Sequence, residues 1–234
     1  MIHNSDILLS GRNIKKCFRT GAGEDFYALR GVDIDIPRGK LVILKGRSGS
    51  GKTTLINALS TLDRVTEGEI SFDGEFYSQM NDAKKEQLRR NEMGFVFQSI
   101  ALVPIMNAYE NVDFALRLCD SIGKMSDKEK DERIRHVLEL VGMGERIHHL
   151  PGQMSGGEQQ RVAIARACVT KPKLIFADEP TGALDTETGI KVMKLFKELI
   201  EKEGITIVMT THDPNLMELG DVIYEMEDGE LIER

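Results

Sequence analysis

The sequence predicts an α/β fold: a phosphate-loop (P-loop) core with a mixed sheet, an N-terminal antiparallel β patch and an inserted helical lobe. Three observations predict it. A glycine-rich octet stands between an apolar run and a helical pattern. A second apolar run, far downstream, ends in a pair of carboxylates. Between the two, residues from about 105 to about 170 hold no strong strand pattern and read as helical.

The elements follow in order. Ile7, Leu8 and Leu9 form a short apolar run, and Val32, Ile34 and Ile36 alternate with Asp33 and Asp35, the half-buried strand period. Residues 20–23 read as the loop between them and residues 37–39 as a turn. Leu41, Val42, Ile43 and Leu44 are apolar without a break, as in a parallel strand covered on both faces. A helix should follow the glycines to about Leu62, then a strand through Ile70 and Phe72, a turn at Asp73-Gly74, a charged helix over 82–90 and a short strand over 94–97. Ser126-Asp127-Lys128-Glu129 is a capping box; it opens a helix carrying Ile134, Val137, Leu138 and Val141 on one face, and Gly142 stops it. From Lys173 the alternation resumes. A buried strand over 174–177 ends at Asp178-Glu179, a helix starts near Glu187, a strand over 205–208 leads to Thr210-Thr211-His212, and a last hairpin turns at Asp228-Gly229.

Composition limits the function classes. The 234 residues carry 31 basic and 38 acidic side chains, a net charge of -7, with 41% hydrophobic and 29% charged residues. That is the balance of a globular core. It opposes bulk attraction to nucleic acid or to an anionic lipid surface. No apolar run approaches the roughly 18 residues of a membrane span, and the N-terminus has no secretory or lipidation pattern. The expected location is therefore cytoplasmic. Cys17, Cys119 and Cys168 are odd in number and widely spaced, which suits free thiols rather than a metal or redox pair.

Gly46-Arg47-Ser48-Gly49-Ser50-Gly51-Lys52-Thr53 matches G-x-x-x-x-G-K-[ST] in full, after a strand and before a helix. Gly46, Ser48, Gly49, Ser50 and Gly51, with Thr54 just beyond, form the expected cradle. Successive backbone N–H groups converge there on phosphate oxygens, and the helix N-terminus adds its partial positive charge. Lys52 is expected at the β/γ-phosphates and Thr53 at Mg2+. Asp178, at the end of its strand, is expected to hold the same ion, and Glu179 to orient or deprotonate water.

Met154-Ser155-Gly156-Gly157-Glu158-Gln159-Gln160-Arg161 resembles the signature motif of ABC-transporter ATPase subunits, with Met154 where leucine is usual. The resemblance extends over essentially the whole chain and implies the ABC ATPase fold. It divides residues 1–234 into a nucleotide-binding core (1–98 and 171–234) and a helical lobe (99–170) carrying the signature. It implies ATP and Mg2+ as ligands. Glu179, His212, Gln98 and Lys52 become the catalytic group, Thr53, Gln98 and Asp178 the metal-side group, and Ser155, Gly156, Gly157 and Asp185 the contribution across a dimer interface. Phe18 stands where an aromatic meets adenine, with Tyr27 as the rival; Asp185 also suits a helix cap.

The resemblance further implies a head-to-tail dimer that sandwiches ATP and a separate transmembrane permease that selects the substrate. The chain would sit peripherally on the cytoplasmic side of the plasma (inner) membrane, held there through the permease alone. The apolar segment 99–106 is the expected docking groove. Ser-Gly-Gly-Glu-Gln-Gln-Arg at 155–161, Gly-Phe-Val-Phe-Gln-Ser at 94–99 and Ala-Asp-Glu-Pro-Thr-Gly at 177–182 resemble the macrolide-exporter, lipoprotein-release and antimicrobial-peptide-resistance group. The expected function is ATP hydrolysis powering export or resistance. A non-transport membrane machine, such as the gating of cell-wall cleavage in division, is the alternative. A DNA-repair-type ATPase is a remote one, because no coiled-coil run or cysteine pair lies between the P-loop and the signature.

Overall fold

The computed structural model describes residues 6–19, 25–119, 123 and 125–232; the loop expected over 20–23 lies outside them. The chain forms two compact units, one of Met1–Glu86 with Thr206–Arg234 and one of Gln87–Ile205.

The first unit holds two sheets. One is antiparallel: β1 (Ile7–Arg19) pairs with β2 (Asp25–Pro37) and with β4 (Glu67–Phe72), which pairs with β5 (Glu75–Phe76). The apolar run at residues 7–9 is thus only the start of a long strand. In the second, β3 (Leu41–Lys45) lies between β8 (Thr206–Thr211) and β9 (Val222–Glu227), parallel to both, and β10 (Glu230–Ile232) closes a hairpin on β9. Leu41, Val42, Ile43 and Leu44 are all fully buried, as an unbroken apolar run in a parallel strand requires. Helix α1 (Lys52–Leu59) packs Leu55 and Leu59 inward, each contributing about 1.5–3 kcal/mol of burial. It ends three residues before the expected Leu62. The Ser60 amide closes the last turn on the Ile56 carbonyl, and Thr61 turns into the left-handed region at φ 60°.

The second unit begins inside α2 (Asp82–Glu92), whose charged sequence buries no residue. Strands β6 (Met93–Val96) and β7 (Leu174–Ala177) run parallel, with Val96 opposite Ala177. The helices are α3 (Ala108–Arg117), α4 (Asp127–Leu140), α5 (Gly156–Cys168) and α6 (Thr186–Glu203). Three open on capping boxes, Asn107/Glu110, Ser126/Glu129 and Ser155/Glu158, in which side chain and backbone satisfy one another's free donors. The α4 face predicted from Ile134, Val137 and Leu138 is buried, and the helix stops before Gly142 at φ 71°. Short α7 (Pro214–Met217), in the first unit, was not legible from periodicity because it is one turn long.

Candidate functional site

Residues 46–53 leave β3 and enter α1. Gly46 allows the turn because a β-carbon there would stand 2.3 Å from the Met226 carbonyl oxygen. The Gly229 amide donates to the Ser50 carbonyl at 3.0 Å, and the Arg30 amide donates to the Gly229 carbonyl at 2.9 Å. The β9–β10 turn therefore straps the loop to β2. Gly51 precedes α1 with no side-chain cap, and the first turn carries no acidic residue. Lys52 is buried and donates from Nζ to the Gly46 and Arg47 carbonyls at 2.8 and 2.9 Å. The buried Ser50 hydroxyl has no hydrogen-bond partner among the described residues. A cationic amine folded into a ring of backbone groups, beside an orphaned hydroxyl, fits a polyphosphate. Thr53 is exposed and Thr54 half-buried at the same helix start.

His212 belongs to this unit. Lys45, the residue before Gly46, lies opposite Thr211 in the parallel register of β3 and β8, so the P-loop and His212 leave neighbouring strands at the same end. The cap that follows is made by Asp213, whose carboxylate accepts from the Asn215 amide at 2.9 Å. Phe18, 42% exposed, faces Phe26 across β1–β2 and has the Lys16 ammonium 4.9 Å from its ring centre. Tyr27, opposite Cys17, lines a cleft of about 380 Å³ with Lys15, Asp25, Phe26 and Arg30. Both candidate aromatics thus lie exposed near one end of the ribbon.

In the second unit the parallel pair β6–β7 places Gln98 and Asp178-Glu179 at one strand end. The Asp178 amide donates to the Val96 carbonyl at 2.9 Å. Gly182 measures the convergence: a β-carbon there would be 3.4 Å from the Gln98 amide nitrogen and 3.4 Å from Glu179 Oε2. Glu179 sits at φ 45°, in the left-handed region. An unfavourable backbone at a carboxylate aimed into such a cluster is a mark of functional sites.

The signature opens α5 in the same unit. Ser155 caps it; the Ser155 amide donates to Glu158 Oε2 at 2.8 Å, and that bond first, then Ser155 Oγ and Arg146, hold the Glu158 carboxyl below its ordinary value. Ser155 and Gly156 are exposed, Gly157 half-buried. Asp185 caps α6 through Thr188, accepting from its hydroxyl at 2.7 Å and its amide at 3.0 Å, which lowers the Asp185 pKa. Thr188 was missed by sequence reading. The signal was its place three residues after a capping Asp, and its second role, against Gly157, is visible only in three dimensions.

The sequence pattern of the ABC transporter family matches residues 29–182. The chain belongs to the ABC transporter family. It is an ATP-binding cassette subunit and has the P-loop ABC ATPase fold, with a mixed sheet and helical subdomain. It is 43% identical over 221 residues to an ABC transporter ATP-binding protein of Methanocaldococcus jannaschii, MJ0796, covering 94% of this chain and 93% of that one. It is also 43% identical over 232 residues to the lipoprotein-releasing system ATP-binding protein LolD 2 of Rhodopirellula baltica, covering 97% and 90%. A dimeric structure of MJ0796 superimposes with a TM-score of 0.87 at 40% identity, over 97% of each chain, as does a dimeric post-hydrolysis state of it bound to ADP and Pi. Among the described residues, no helix of this ABC ATPase is long and apolar enough to cross a membrane.

Proposed function

We propose that the chain hydrolyses ATP as one half of a head-to-tail dimer and so drives a separate membrane permease of the export or lipoprotein-release type. The observation that carries this reading is the meeting of Gln98 and Glu179 around Gly182. It gives a water molecule an amide and a carboxylate at once. The relatives add weight. LolD 2 is named for lipoprotein release, and a 43% identical stretch of the macrolide export protein MacB of Syntrophobacter fumaroxidans is 31% of a longer ATP-binding/permease chain.

The backbone amides of 46–51 and the Lys52 ammonium bind the phosphates. Thr53, Gln98 and Asp178 are the groups that would hold Mg2+, which supplies charge neutralisation on the β- and γ-phosphoryl oxygens. Glu179 accepts the proton of the attacking water as its oxygen bonds to the γ-phosphorus and the bond to the bridging oxygen breaks. His212 and the partner's signature, Ser155, Gly156 and Gly157, meet the charge that develops on the γ-phosphoryl group. Asp185 fixes the adjoining loop, and Phe18 or Tyr27 covers the adenine.

The helical lobe 99–170 carries the docking surface. Asn111, buried, pins its entry by donating to the Val103, Met106 and Asn107 carbonyls. In that segment Ile105 is 85% exposed, which supports docking of a permease helix there. The deciding experiment is phosphate release from Mg2+-ATP by the purified chain with its permease, against Lys52→Ala. Release no greater than that of the variant would refute the reading.

A further inference from the structure

One side chain ties the signature helix to the segment that follows Gln98. Arg166 lies near the C-terminal end of α5 and is half-buried. Its Nη1 donates to the Ala101 carbonyl at 2.6 Å, and its Nη2 reaches the Ile100 carbonyl at 3.5 Å. Burial lowers the guanidinium pKa, the effect of taking a cation partly out of water. Ala101 has φ 48°, a left-handed turn at a residue with a β-carbon. An unfavourable turn and a partly desolvated fork thus meet at one point, three residues after Gln98.

α5 itself is about 20 Å long. Its first residues are the Gly-Gly of the signature, and its last turn carries Arg166. Hydrogen-bonded backbone does not stretch, so a displacement at Ser155 is carried to Arg166 as a displacement of the whole rod. The planar fork then passes it to two successive carbonyls, where a lysine would hold one as a point charge.

We propose that Arg166 is a positioning residue for hydrolysis: it registers the turn at Ile100-Ala101 against α5, so that the placement of the Gln98 amide depends on where the signature helix sits. This rests on the functional reading above, in which Gln98 serves the metal and the attacking water. Arg166 touches neither nucleotide nor metal in this role.

The test uses the full chain with its permease, the Arg166→Gln and Arg166→Lys variants in the same assembly, and three readouts: Mg2+-dependence of ATP hydrolysis, ATP binding without Mg2+, and thermal unfolding. Arg166→Gln should raise the half-saturating Mg2+ concentration about fivefold and lower kcat about tenfold, the scale of a small misplacement of a reacting group. Binding of metal-free ATP should stay at the parent value. Arg166→Lys should recover part of both losses. An unchanged Mg2+ requirement in Arg166→Gln, with kcat falling only in step with thermal stability, would overturn the proposal and leave the functional reading standing. A parent chain without Mg2+-dependent hydrolysis would overturn both.

Discussion

Gly157 and Thr188 touch with no room to spare: a β-carbon on Gly157 would stand 2.6 Å from Thr188 Cγ2. The same threonine gives its hydroxyl to Asp185 at 2.7 Å. The start of the signature helix and the start of α6 are therefore held together by one side chain, methyl on one side and hydroxyl on the other. Gly157→Ala should destabilise the chain by about 1–3 kcal/mol, the usual cost of overpacking. Thr188→Ser removes the methyl and keeps the hydroxyl, so the double variant should recover most of that loss in urea unfolding. Full additivity of the two would refute the contact.

Glu179→Gln keeps shape and one acceptor but takes away the carboxylate. Hydrolysis should fall about 10²-fold or more, the size of a general-base contribution, while ATP still binds. The ATP-bound dimer should then accumulate, seen as a doubled mass in light scattering with saturating ATP. A variant that hydrolyses at the parent rate and stays monomeric would remove Glu179 from this role.

The caps predict a response to acid. Hydrogen bonds from Ser155, Ser126 and Thr188 hold Glu158, Glu129 and Asp185 below their ordinary values of 4.5, 4.5 and 3.8. A depressed carboxyl contributes stability that is fully present above the unfolded pKa and is lost as pH falls through the folded one. Urea stability should thus be flat near neutrality and decline below about pH 4.5. In Glu158→Gln the decline between about pH 5 and about pH 3 should be shallower; an identical decline would show that this cap does not titrate with folding.

Ile105→Glu places a charge on the most exposed large apolar side chain of the described residues. Leu102→Glu adds a charge three residues earlier, at a half-buried position, and carries more risk to folding. With the permease present, both should shift the chain from the membrane fraction to the soluble one and leave ATP binding unchanged. Equal retention of Ile105→Glu and the parent would place the permease contact elsewhere.

Much of this was legible in the sequence because it is local. The unbroken apolar run at 41–44 specifies a strand buried on both faces. The glycines and Lys52 specify a phosphate cradle, and Ser126-x-x-Glu129 specifies a helix start; each signal is complete within a few residues, where backbone sterics and hydrogen bonding decide the outcome. Helix ends were less legible. α1 stops at Leu59 because Thr61 takes a left-handed turn that its identity does not announce.

What only tertiary structure decided is distance between residues far apart in the chain. No periodicity reveals that Gly182, in a turn with Glu179, stands against Gln98, that the turn at Gly229 straps the P-loop through Ser50, or that Arg166 grips the carbonyls of Ile100 and Ala101. Those relations depend on parallel register. Val96 must lie opposite Ala177, and Lys45 opposite Thr211, before the carboxylates and the glutamine, or the P-loop and the histidine, can share a strand end. Register is set by the packing of whole faces, a sum over many buried side chains that no single stretch of sequence contains.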